Sequence, residues 1–149
     1  MGFIQTLFLS ISLFVSPVTA TNEELQVEIF DIETEKVVKT ITKSDSIQEE
    51  SEKIISNIYD IFKGINPIPD RGFMIKIPLE PKVTIDNEWL TAEVDTVIII
   101  QPLDEKPYLL TFDEENRPRV FLFNAPIDEL LNQLDYPSSS VSPTITLMR

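Results

Sequence analysis

The chain has 149 residues, 25 acidic and 12 basic, a net charge of −13 at neutral pH, and neither cysteine nor histidine. Disulfides, thiolate nucleophiles, zinc centres built on Cys or His, and serine–histidine–aspartate triads are therefore excluded within the chain. Lysines and arginines are scattered singly, which argues against nucleic acid and anionic lipid; the acidic balance suits cations, a basic partner, or plain solubility.

The N-terminus reads as an address. Residues 1–22 carry no charged side chain, and residues 3–15 (FIQTLFLSISLFV) are apolar. A helix needs roughly 20 residues to span a bilayer, so this stretch has signal-peptide length. Pro17 breaks it, and Val18-Thr19-Ala20 places small residues before a cut. The pattern predicts a secretory signal peptide over 1–20, cleaved after Ala20, with no stable membrane insertion afterwards. The opening Met1-Gly2 lacks the usual Lys or Arg.

Leu25, Val27 and Ile29 alternate with Gln26, Glu28 and Phe30, a strand period. Asp31-Ile32-Glu33-Thr34-Glu35 is a polar turn, and 36–42 (KVVKTIT) a second β-branched run, so the pair predicts a hairpin. It either joins the main sheet or flanks it. Residues 45–63 read as an amphipathic helix. Ser44, Asp45 and Ser46 offer cap oxygens, with capping-box spacing for Asp45–Gln48 and Ser46–Glu49. Ile47, Ser51, Ile54, Ile58, Ile61 and Ile65 recur at helical spacing, and Gly64 offers a stop.

Two prolines make 66–72 (NPIPDRG) a stiff connector. Residues 73–79 (FMIKIPL) alternate as a strand in which Pro78 signals an edge or a bulge, and 83–85 continue extended. Residues 89–101 predict a long central strand. Its end, Val97-Ile98-Ile99-Ile100, suits burial on both faces, and its change of character midway suits a bulge. Residues 108–112 (YLLTF) and 120–123 (VFLF) are further strands, joined by a polar loop with Asn116 suited to a left-handed position. Residues 126–134 (PIDELLNQL) predict a short helix with Pro126 at its first position. The tail, 137–149, is rich in Ser, Thr and Pro and reads as disordered.

The expected architecture is α+β: one domain over 21–136, an amphipathic helix on a mainly antiparallel sheet of about five to six strands, and a short C-terminal helix. One helix followed by antiparallel strands is a cystatin-like element order. The inhibitor's Gln-x-Val-x-Gly signature is absent, so the analogy concerns shape alone.

Segments 66–81 (NPIPDRGFMIKIPLEP) and 105–123 (EKPYLLTFDEENRPRVFLF) resemble small secreted proteins of unassigned function from spore-forming Gram-positive bacteria. The resemblance implies export to the exterior or the cell envelope and transfers no catalytic motif.

Acidic groupings are the remaining candidates for chemistry. Asp31, Glu33 and Glu35 share one face if their strand continues. Asp113, Glu114 and Glu115 form a candidate acidic cation loop, weakly suited to calcium although no EF-hand pattern is present. In both, a solvated turn is the plainer reading. Trp89, Glu93 and Asp95 form a candidate binding surface on the opening of the long strand. Two carboxylates two residues apart on a strand sit about 7 Å from each other, within the range of a glycan-hydrolase pair, though any alternating acidic strand does this. Arg117 and Arg119 suit an anion or, more simply, the acids beside them. With three glycines in the whole chain no phosphate loop is possible. No catalytic residue, cofactor or metal site is assigned. The favoured reading is an exported, non-catalytic binding domain with a protein or cell-wall partner and no nucleic acid. The alternatives are a carboxylate-based glycan hydrolase and a weak calcium-binding adhesion or structural protein.

Overall fold

A computed structural model describes residues 24–137, so the expected signal peptide and all of the expected tail but Pro137 lie outside the described residues. Among the described residues the fold is α+β, with a sheet of seven strands in the order β2-β1-β4-β5-β6-β7-β3 and two helices. Every neighbouring pair of strands is antiparallel.

The expected hairpin, β1 (Gln26–Asp31) and β2 (Lys36–Thr42), joins the sheet through β1, which pairs with β4. β2 forms one edge, with Val37 and Val38 each half exposed among lysines that keep the edge soluble.

Helix α1 (Asp45–Ser56) begins where the cap oxygens stand: the Ser44 hydroxyl accepts from the Ile47 N–H at 3.2 Å. It buries Ile47, Ser51, Ile54 and Ile55 against the sheet. The expected continuation to residue 63 is corrected by the structure. Asn57 ends the helix, its side-chain amide donating to the Lys53 carbonyl at 2.8 Å. Residues Ile58–Ile61 then form β3, paired with β7 at the opposite edge from β2. Ile58 and Ile61 fit the helical stripe of the sequence, but β-branched residues also pair well across strands. The pairing with β7 is long-range and decides the outcome. This strand brings the sheet to seven.

β4 (Gly72–Asp86) fuses the two extended stretches expected at 73–79 and 83–85. Its register against β5 shifts between Pro78 and Val83, and the Glu80–Pro81 peptide within that bulge is cis. The bulge signalled by Pro78 is therefore present, in a strand interior to the sheet. Gln48 of α1 clasps it. Its carbonyl accepts from the Glu80 N–H at 3.2 Å, and its amide donates to the Pro81 carbonyl at 3.0 Å.

β5 (Thr91–Pro102) is the fourth and central strand. Val97, Ile99 and Ile100 are fully buried, while Ile98 is half-buried. β6 (Tyr108–Phe112) and β7 (Pro118–Phe123) follow as a hairpin. Its loop carries Asn116 at φ 62°, the expected left-handed position. Helix α2 (Asp128–Gln133) starts two residues after Pro126, later than the proline predicted, with Ile127 at its N-cap.

The main core lies on one sheet face, where both helices pack over Ile29, Ile75, Val97, Ile99, Leu109 and Phe121. The chain crosses this face through α1 on its way from β2 to β3. It returns from β3 to β4 by residues 62–71, which pass over the other face.

Candidate functional site

Among the described residues no helix packs on the second sheet face. Its apolar side chains stand in direct cross-strand register, Phe30 opposite Met74, Met74 opposite Ile100, Ile100 opposite Tyr108, and Tyr108 opposite Leu122. A second row runs Ile98, Leu110, Val120. Ile100, Tyr108 and Leu110 are buried, whereas Met74, Ile98, Phe112, Val120 and Leu122 remain partly exposed. Such a continuous row is the ordinary means of stabilising a sheet, but here one side of it meets solvent.

Residues 62–71 form a strap over this face. The Phe62 ring stacks on Tyr108 with centroids 4.7 Å apart, and its N–H donates to the Val120 carbonyl at 3.0 Å. The Tyr108 hydroxyl donates to the Pro67 carbonyl. Burial, followed by the Glu105 charge, raises the Tyr108 pKa and keeps that hydroxyl protonated. Between these anchors Ile65 is fully exposed, and just beyond them Ile68 is 39% exposed. The strap therefore adds apolar surface to the face it crosses.

The structure separates the residues expected to share the opening of β5. Trp89 belongs to the turn before the strand, held there by Asn87, whose side-chain oxygen accepts from the N–H groups of Trp89 and Leu90 at 2.9 Å each. Its indole leans on the main core, 6.4 Å from the Phe121 ring. Ala92 and Val94 point to the same core, so Glu93 and Asp95 stand exposed on the opposite side. Neither acid lines the clefts beside Trp89 and α1. The single-face expectation for all three residues fails because Trp89 precedes the regular pleat.

The 113–119 loop is organised around its own aspartate. Asp113 is buried; one oxygen accepts from the N–H groups of Glu115 and Arg117 at 3.0 and 2.9 Å. The other accepts from the guanidinium Nε atoms of Arg117 and Arg119 at 2.9 and 3.1 Å. The Arg117 backbone bond, with the two guanidiniums behind it, lowers the Asp113 pKa from 3.8 to about 2 against the opposing effect of burial. Glu115 pairs with Arg117 at 2.8 Å, and Glu114 is exposed. Asp113, Glu114 and Glu115 line one shallow cleft with Trp89, but Arg117 and Arg119 line it too and already pair with Asp113 and Glu115.

Of Asp31, Glu33 and Glu35, the first two line one cleft and Glu35 stands apart. Asp31 closes its turn by accepting from the Thr34 N–H and hydroxyl at 2.8 and 2.6 Å, and the hydroxyl bond is the main cause of its lowered pKa. Glu33 pairs with Arg71 at 3.4 Å, and Glu35 lies in the left-handed region at φ 56°. Among the described residues no group of three or more acidic side chains is placed to hold a metal ion.

A cleft of about 390 Å³ opens between this turn, the paired ends of β4 and β5, and α2. Its floor includes Phe73, Ile127 and Leu131, and its wall the Tyr136 ring, edge-on to Phe73 at 5.0 Å. Asp31, Glu33 and Asp128 contribute carboxylates to its lining. Sequence reasoning singled out Asp31 and Glu33 but not the cleft, whose lining comes from segments far apart in the chain.

Comparison with models of protein families, with curated proteins and with solved structures finds no match.

Proposed function

We propose that the chain is an exported, non-catalytic interaction module, acting outside the cell or at its envelope on a protein or cell-wall partner. The signal-peptide pattern and the resemblance to secreted Gram-positive proteins support export. The observation that supports binding is the second sheet face. An apolar row crosses it in register, five of its side chains are partly exposed, and a strap bearing exposed Ile65 and Ile68 is the segment that crosses it. Apolar surface retained in this way on an acidic, otherwise soluble domain is the usual mark of a contact surface. The proposal includes no nucleic acid, no cofactor and no membrane insertion after cleavage. Among the described residues no helix is long and apolar enough to cross a membrane. The cystatin-like order is kept as an analogy of shape.

Neither alternative gains a supporting observation. Glu93 and Asp95 on an open face offer a hydrolase no concave site. Asp113, the best-placed ligand of the suggested calcium loop, is committed to its own arginines.

The test is affinity capture from secreted and wall fractions with residues 21–149 as bait, run beside Val120→Lys and Ile98→Lys variants. Both positions are partly exposed, so folding is checked by circular dichroism and kept as a condition. A partner held by the wild type and released by both folded variants is the expected result. A partner held equally by all three baits overturns the second-face reading. Intact mass showing Met1 retained on a cytoplasmic protein overturns export.

A further inference from the structure

We propose that the cleft between the β1–β2 turn, the ends of β4 and β5 and α2 receives a single basic side chain, arginine or lysine, presented by a partner polypeptide. It lies apart from the second sheet face, and its failure leaves that reading untouched.

The commitment to a basic side chain rests on two matched features. The first is an apolar floor. Phe73, Ile127 and Leu131 are buried and fixed, and the accessible apolar surface of the lining comes mainly from the exposed Leu103 and the half-buried Tyr136 ring. The aliphatic stem of Lys or Arg covers such surface while its charged head stays at the rim. The second feature is the charge of the lining. Asp31 and Glu33 from the β1–β2 turn and Asp128 from the start of α2 meet around one opening. Among the described residues Asp128 makes no ion pair, and both of the bonds recorded for Asp31 fall on one of its oxygens. Glu33 already accepts a guanidinium, that of Arg71 at 3.4 Å, with both side chains more than half exposed. An exposed pair of this kind is weak and exchangeable. Arg71 thus stands as an internal competitor for one rim carboxylate.

The cleft volume, about 390 Å³, falls within the range of ordinary small-ligand sites, so it admits one long side chain together with part of its flanking backbone. The net charge of −13 draws cationic partners toward the whole molecule, and the cleft supplies the place where an apolar stem is also satisfied. A neutral apolar side chain would leave the rim carboxylates unmatched. An acidic one would be repelled.

The full chain, labelled with nitrogen-15, is titrated with acetyl-Leu-Arg-Leu-amide, with the lysine equivalent, and with the citrulline equivalent, which keeps the shape of arginine without its charge. The expected result is saturable shifts centred on the amides of Phe73, Gln101, Asp128 and Tyr136. The citrulline peptide should bind about tenfold more weakly, a difference of about 1.4 kcal/mol. Asp128 is exposed, so Asp128→Asn should fold normally and weaken the basic peptides several-fold. Arg71→Ala should strengthen them by freeing Glu33. Shifts spread over the acidic surface without a focus on the cleft overturn the proposal. So does equal binding of the citrulline peptide, or binding unchanged by Asp128→Asn.

Discussion

The Tyr108 hydroxyl donates to the Pro67 carbonyl, 41 residues earlier in the chain, and so fastens the 62–71 strap onto the second sheet face. With the Phe62 ring stacked on the same tyrosine, one residue of β6 holds the start and the middle of the crossing. Tyr108→Phe keeps the stack and deletes the bond. The expected cost is about 1 kcal/mol, which lowers the melting temperature of a domain this size by about 3–6 °C. The same variant should bind an apolar dye more strongly, because the strap lifts from the row beneath it. Unchanged dye binding would show that the hydroxyl does not control access to that face.

Gly72 is where β4 begins, and its backbone lies at φ +128°. A Cβ there would sit 2.1 Å from the Gln101 carbonyl oxygen and 2.9 Å from the Pro102 Cα, both backbone atoms of the paired strand. Neither can step aside without breaking the register. Gly72→Ala combines a steric clash with a conformation that L-residues rarely adopt, and should cost on the order of 3 kcal/mol. Urea unfolding measures it. A loss below about 1 kcal/mol would mean that the β4–β5 end relaxes freely.

Much of the frame was legible because its signals are local. Val97 to Ile100 announce a central strand by four β-branched residues in a row, and the structure buries all of them but Ile98 fully. Ser44 and Asn116 declare a helix start and a left-handed turn by side-chain chemistry alone. The end of α1 was not legible. Ile58 and Ile61 fit a helix at spacings from Ile54 and fit a strand equally well, and the deciding pairing with Phe123 and Phe121 lies 60 or more residues away. The same holds for the candidate site. Asp113 reads as an exposed acid until Arg117 and Arg119 fold back on it. The cleft assembles from Asp31, Phe73, Pro102 and Asp128, which no short motif connects.

Gln48 is a polar residue 7% exposed within the helix–sheet interface, and its amide completes the hydrogen bonding of the β4 bulge. Gln48→Ala leaves the Glu80 N–H and the Pro81 carbonyl without their side-chain partner. The expected loss is about 1–3 kcal/mol. Hydrogen exchange gives the sharper measurement: the Glu80 amide should exchange faster in the variant, while amides in the β6–β7 pair keep their order of protection. Exchange at Glu80 unaffected by the substitution would remove Gln48 as the clasp.

Asp113 sets an acid limit to stability. Its folded pKa is depressed from the ordinary 3.8 to about 2 by the Arg117 backbone bond and the two guanidiniums. A carboxylate depressed on folding contributes stability that is fully present above its unfolded pKa. That contribution is lost as pH falls through the folded value, here between roughly pH 4 and pH 2. Asp113→Asn removes the titrating group and places an amide where both guanidiniums need an acceptor. The variant should be less stable than the wild type at pH 7, and the gap should close as the pH drops across that window. Asp31 and Asp60 are also lowered and give both proteins a common acid slope, so the difference between the two curves isolates Asp113. Urea midpoints at pH 5, 4, 3 and 2 supply those curves. A gap that stays constant over the four values would mean that the Asp113 carboxylate does not titrate differently on folding, and that the loop is held by its main-chain to main-chain bonds rather than by that carboxylate.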